Sequence, residues 1–429
     1  MKKNKEHAEI AGTGGKETLT MLTEPQKTML THQTLAARVY ARAYLYQIGG
    51  AYGFRDQLQD CMNLVDVDPK LLRRQIYRCA AAQFPQGDAL HWFHPIPAPT
   101  PHVRGVRTRC ADDLLWLPLA AAALFRAGKR DFLQKRIRYL AGEPLAATER
   151  ERCADFYPGE TAASVYTHCL AAVKAAERLG PHGLPLFGSG DWNDAFSGLS
   201  TGESVWMGEF LALVCDRFLP VAAACGTGQD TAFLSSLSER MKRAVLTAGY
   251  NGTWFLRGYY PDGAPLGDGD GAACAIDLLP QAFAVFAGIG SSAQRRRALE
   301  AAFRRLYAPE TQTLRLFTPP FGPSTPHAGY INEYPPGVRE NGGQYTHAAV
   351  WFYLAALEEG LTDLASQILP CIVPWERARD PAYPGEPYFV AADVGDVPDC
   401  PGLLGWTGYT GAAGWLLRAA PAHPSAPGP

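Results

Sequence analysis

The segment Glu160-Thr-Ala-Ala-Ser-Val-Tyr-Thr-His-Cys-Leu-Ala-Ala-Val-Lys-Ala-Ala-Glu-Arg-Leu179 sets the fold class. Ala162, Val165, Tyr166, Cys169, Leu170 and Val173 fall near the i, i+3, i+4, i+7 spacing that gives a helix one apolar face. Gly180-Pro181 then supplies a stop signal. The same spacing recurs over 33–47, 69–83, 111–127, 129–140, 203–224, 230–248, 276–288, 292–306, 344–359, 361–370 and 411–419, with Gly128 and Gly360 as punctuation. Strand signals are short, mainly Thr253–Leu256 and Tyr388–Val390. Helices paired by short turns predict an all-α toroid, with helical hairpins in a ring. The segments 85–110 and 308–343, rich in Gly, Pro and aromatics, read as long functional loops building a funnel at one end. Residues 32–419 form one domain in this reading, 1–31 a loosely ordered arm and 420–429 a Pro-rich tail.

Bulk properties exclude several classes. A net charge of −2 leaves no electrostatic footprint for nucleic acid or a membrane surface. No run approaches the roughly 18 apolar residues of a membrane span. The basic start Met1–Lys5 lacks the apolar stretch of a signal peptide. The 10 cysteines are scattered without a C-x-x-C pair, as in a cytoplasmic protein with reduced thiols and no cysteine metal site.

Four constellations carry candidate chemistry. Leu186-Phe-Gly-Ser-Gly-Asp-Trp-Asn-Asp194 is a shaped loop in which Asp191 and Asp194 flank Trp192. Glycosyl transfer needs a carboxylic acid beside a ring that stacks on the sugar, whereas the same residues also serve as turn and helix caps. Gly49–Asp60 gathers Arg55, Asp56, Gln57 and Asp60, suited to sugar hydroxyls or to structural Arg–Asp bracing. Pro335–His347 leads through Glu340-Asn-Gly-Gly343 into a helix whose first turn holds His347, a geometry that favours an anion. Gly405-Trp-Thr-Gly-Tyr-Thr-Gly-Ala-Ala-Gly-Trp415 is a second Gly-rich helix entry, with Thr407 and Thr410. Asp112-Asp113 reads as ordinary acids at a helix start. Gly267-Asp-Gly-Asp-Gly271 lacks the downstream Glu of a calcium loop.

Together with Leu90-His-Trp-Phe-His-Pro95, Val106–Trp116 and Phe156-Tyr-Pro-Gly-Glu160, these segments resemble the catalytic region of glycoside hydrolase family 94 over residues 32–419. That family includes cellobiose and chitobiose phosphorylases and the phosphorylase-like part of cyclic β-1,2-glucan synthases. The resemblance implies an (α/α)6 barrel and roles for particular positions: Asp194 as general acid and Trp192 as a sugar contact. Arg55 and Asp56 match holders of the transferred unit, Glu340 an acceptor-sugar ligand and Arg42 the family's further arginine. His347, Thr410 and the Gly411 backbone match the phosphate cradle. The implied reaction is inverting phosphorolysis of a β-linked oligosaccharide, with phosphate as co-substrate and neither metal nor organic cofactor.

Two departures stand out. The family's β-sandwich, which helps to form its dimer, does not fit in the roughly 30 residues ahead of the barrel, so a homodimer is an open expectation. Gly50 stands where disaccharide phosphorylases have an arginine, nearer the glucan-synthase branch. Two other readings remain: a hydrolase using Glu340 as a base opposite Asp194, and a sugar-binding remnant without turnover.

Overall fold

The computed structural model describes residues 22–45, 48–379, 385–397, 402, 405 and 408–419. Its helices are α1 (Glu24–Gln33), α2 (Phe54–Asn63), α3 (Pro69–Ala80), α4 (Trp116–Arg126), α5 (Val165–Ala175), α6 (Val205–Cys225) and α7 (Gly228–Ala248). They continue with α8 (Leu278–Phe286), α9 (Ser292–Leu306), α10 (Thr346–Glu358), α11 (Thr362–Ile372), α12 (Pro374–Arg377) and α13 (Ala412–Leu416).

Burial sorts these helices into two layers. Every residue of α8 is buried, as is Trp116–Leu124 of α4, whereas α7 buries only the stripe Leu234, Leu237, Ser238, Met241 and Val245. Packing runs from α2 to α4, α6, α8, α10 and α13 and back to α2, a closed circuit. Helices α3, α5, α7, α9 and α11 lie outside it against their chain neighbours. One ring from each of five inner helices meets on the axis: Trp116 lies 4.6 Å from Phe210, Phe283 5.0 Å from Trp351, and Trp351 5.6 Å from Trp415. Among the described residues no helix is long and apolar enough to cross a membrane.

The chain is mostly helical but not all-α. Strands β1 (Tyr52–Gly53), β2 (Leu90–Ile96) and β3 (His102–Thr108) join β5 (Glu151–Phe156) in an antiparallel sheet, and β4 (Arg136–Leu140) pairs with β6 (Pro158–Ser164). The stretch 85–110, read as a loop, is therefore largely a hairpin. The opening segment also divides: Ala162 lies in β6 opposite Arg138, and the helix starts at Val165, where Ser164 accepts the Thr167 N–H at 3.1 Å. Helical spacing over 160–164 and 136–140 misleads because each stretch is fixed by pairing with the other, distant in sequence. Helix α1 begins inside the supposed arm, held by a Thr23–Gln26 capping box and Pro25. Residues 1–21 of that arm and the tail 420–429 lie outside the described residues.

Candidate active site

A cleft of about 490 Å³ collects residues from all four sequence constellations. The first turns of α2 and α10 and the entry to α13 reach it, as do β2 and the loop bearing Asp194.

That loop places its two aspartates in opposite environments. Gly190, at φ 126°, bends the chain in a conformation closed to side-chained residues. Asp191 then points into the core, where Arg257 grips it with bonds of 2.6 and 2.7 Å and Ser204 donates at 2.7 Å. Both side chains of the Asp191–Arg257 pair are fully buried. Asn193 caps a short 3₁₀ turn by accepting the Ala195 N–H, and that turn carries Asp194 out into the cleft with 38% of its side chain exposed.

Arg55 and His91 define the surroundings of Asp194. Arg55 donates 2.7 Å bonds to Asp194 Oδ1 and Asp112 Oδ1, and a 3.0 Å bond to the Asp191 carbonyl. His91 Nδ1 lies 2.8 Å from Asp113, and its Nε2 3.6 Å from Asp194 Oδ2. Asp112 and Asp113 are thus not free helix-start acids; they are buried partners that position the cations around Asp194. Burial pushes the Asp112 carboxyl up to about 6, with Arg55 opposing. Donor atoms of His91, Cys110 and Asp194 lie within 4.8 Å of one another, as in a metal site, but the Arg55 guanidinium already stands among them as their cation.

Burial opposes protonation of His91, but the charges of Asp113 and Asp194 outweigh it and push its pKa up to about 9. The folded-state value lies above the ordinary 6.5, so this stabilisation is complete below about pH 6.5 and is lost as pH rises through about 9. His91→Asn should flatten the fall in melting temperature across that window. Equal slopes for wild type and variant would show that the imidazolium contributes nothing.

The same cleft is also lined by His347, Thr410 and Gly411. His347, in the first turn of α10, packs its ring 4.1 Å from Trp351, and its buried Nε2 has no hydrogen-bond partner among the described residues. Burial, then the charge of Arg38, holds its pKa down to about 3, so the ring is neutral. A side chain at Gly411 would place Cβ 2.9 Å from the His347 ring, so only glycine admits this approach. Thr410 lines the same wall, its hydroxyl accepting the Ala412 N–H at 3.1 Å. With five residues, α13 adds little dipole at this wall. Thr407 lies outside the described residues.

Two placements differ from the sequence reading. Arg42 does not line the cleft; it is in left-handed conformation (φ 51°), bonds the Gly50 and Tyr40 carbonyls and lies over Tyr52. The π-helical turn Thr34–Ala41 instead presents Arg38 to the cleft, buried, at 2.9 Å from Asp56 and 3.0 Å from Asp60. Trp192 is also no open platform. It is buried against Tyr345, His347 and Trp351, while Trp92 and Tyr330 line the cleft with over a third of their surface exposed. Arg55, Asp56, Asp194, Glu340, His347, Thr410 and Gly411 all line it, with Arg339 3.3 Å from Glu340. Residue types in 34–41 do not signal the wider π pitch that turns Arg38 toward the cleft, so the helical spacing gives no pointer to it.

Comparison with known proteins fits this geometry. The chain is 40% identical over 402 residues to the cyclic beta-(1,2)-glucan synthase NdvB of Rhizobium meliloti (strain 1021), covering 91% of this chain and 14% of that protein. It is 26% identical over 373 residues to the N,N'-diacetylchitobiose phosphorylase of Vibrio proteolyticus, covering 81% of this chain and 44% of that one. The chain thus spans less than half the length of either. The GH63 mannosylglycerate hydrolase from Thermus thermophilus, solved in complex with glucose, shares the fold with a TM-score of 0.54 at 12% identity, covering 92% of this chain and 99% of that one. Residues 20–423 match the family model for the catalytic domain of the glycosyl hydrolase 94 superfamily, and the chain belongs to that family.

Proposed function

We propose that this chain is an (α/α)6-barrel phosphorylase that cleaves β-linked gluco-oligosaccharides with phosphate, inverting the anomeric carbon to give α-glucose 1-phosphate. The observation that carries this reading is the unpartnered, buried Nε2 of neutral His347 beside Thr410 and Gly411, in the same cleft as Asp194. A neutral imidazole bearing its proton on Nε2 can donate to a phosphate oxygen. Arg38 adds a fixed positive charge on that wall, shared with Asp56 and Asp60.

The chemistry then needs one acid. Asp194 gives its proton to the leaving glycosidic oxygen as that C–O bond breaks, and a phosphate oxygen forms the new bond to the anomeric carbon from the opposite face. Phosphate arrives as an anion, so no carboxylate need activate it. Arg55 stabilises the carboxylate that Asp194 becomes. Trp92 and Tyr330 offer the sugar faces to stack on. A β-1,2 linkage is favoured, given the 40% identity to a β-1,2-glucan synthase and the glycine at position 50.

One observation supports a hydrolase instead. Burial pushes the Glu340 carboxyl up to about 7, against the pull of Arg339, a value suited to a general base. Incubation with β-1,2- and β-1,4-gluco-oligosaccharides, with and without phosphate, decides between the two. Sugar 1-phosphate should form only when phosphate is present. Glucose release without phosphate would establish hydrolysis, and absence of any product would refute both.

A further inference from the structure

A second cavity, of about 320 Å³, lies behind the loop that carries Asp194 and shares none of its lining residues with the cleft. We infer that it binds a small phosphorylated sugar, at a site distinct from the catalytic one.

Charge is the first reason. Arg109, Arg150 and Arg178 line the cavity against a single acid, Glu149. That acid is already engaged by Arg152 Nε at 2.8 Å and the Ala146 N–H at 3.0 Å. Arg109 is clamped by the carbonyls of Leu145, Ala146 and Glu149 at 2.9, 2.7 and 3.1 Å. Carbonyls fix the guanidinium in place without neutralising it. Arg150 and Arg178 make no side-chain hydrogen bond or ion pair among the described residues. Partial desolvation against the cavity wall, then the like charge of Arg109, lowers the pKa of Arg178, with the charge of Asp88 too weak to reverse the shift. Such a concave, net-positive wall draws a multivalent anion.

Shape and remaining chemistry select the rest of the ligand. The volume stands at the small end of ligand sites, about 300–1,000 Å³, which suits one sugar ring rather than a chain. Thr148 and Thr201 offer hydroxyls, and Leu114 with Ala175 gives an apolar wall for a C–H face. The site also touches the catalytic loop. Ser189 Oγ accepts the Arg109 N–H at 3.2 Å, and Ala111 N–H donates to the Gly190 carbonyl at 2.9 Å. An occupant there braces the loop from behind.

The test is calorimetric titration of the chain with glucose 6-phosphate, with glucose as the neutral control. Saturable binding is expected for the ester, weaker by about tenfold or more in Arg150→Ala/Arg178→Ala and unchanged in Asp194→Asn. Both arginines are exposed, so the double variant should fold, and a wild-type melting curve confirms it. The assignment is overturned if glucose 6-phosphate does not bind, if glucose binds as tightly, or if the double variant binds like wild type, which would put the ligand in the cleft. The outcome is independent of whether the cleft performs phosphorolysis.

Discussion

Asp194→Asn is expected to lower kcat by about 10²–10⁴-fold, the usual contribution of a positioned general acid, while leaving oligosaccharide binding nearly intact. The substitution keeps shape and one oxygen, so Arg55 retains an acceptor there as well as its bond to Asp112. What disappears is the proton for the leaving oxygen. The deficit should therefore shrink with a glycoside whose leaving group needs no protonation, such as an activated aryl glucoside, under the same phosphate concentration. A uniform loss across both substrates, or retained activity on the oligosaccharide, would remove Asp194 from the acid role. The partly exposed carboxylate carries little of the fold, so the melting temperature should barely move.

Arg257→Met, by contrast, should cost the protein about 3–5 kcal/mol of stability, read from chemical denaturation. Its guanidinium lies between the buried carboxylates of Asp191 and Asp277, the latter 3.2 Å from Nε. Burial pushes the Asp277 carboxyl up to about 6 even with the arginine present. Burial also drives the neighbouring Glu209 well above its ordinary range, with the Arg257 charge opposing. Without the cation these acids must either protonate or stay charged in a low-dielectric interior, and both are costly. The two aspartates of one loop thus part company: Asp191 pairs with Arg257 in the core, and Asp194 faces the cleft. A variant at Arg257 that folds with unchanged stability would show that the loop is held by other means.

Much of this was readable from the chain. Inner helices announce themselves because α4, α6, α8 and α10 are apolar nearly all round, and outer ones because a single stripe recurs at helical spacing. The acid loop and the Gly-rich entry at 411 were legible because glycine appears where φ is positive or where a neighbour leaves no room for Cβ. Three things were not. The β2–β3–β5 sheet depends on pairing between distant segments. Arg38 reaches the cleft only because the helix widens to π pitch, which residue types do not signal. The burial of Trp192 and of Asp112 and Asp113 follows from how the loop folds against α4 and α10, so composition alone gave a sugar platform and two idle acids in their place.

The central claim is that phosphate, held by His347, Thr410 and Gly411, attacks opposite Asp194. The most direct test is a ³¹P and ¹H NMR time course of β-1,2-gluco-oligosaccharide with phosphate and wild-type chain. The first phosphorylated product should be the α-anomer of glucose 1-phosphate, formed in step with chain shortening and suppressed in His347→Ala. A β-anomer, or free glucose appearing ahead of any phosphate ester, would contradict the account.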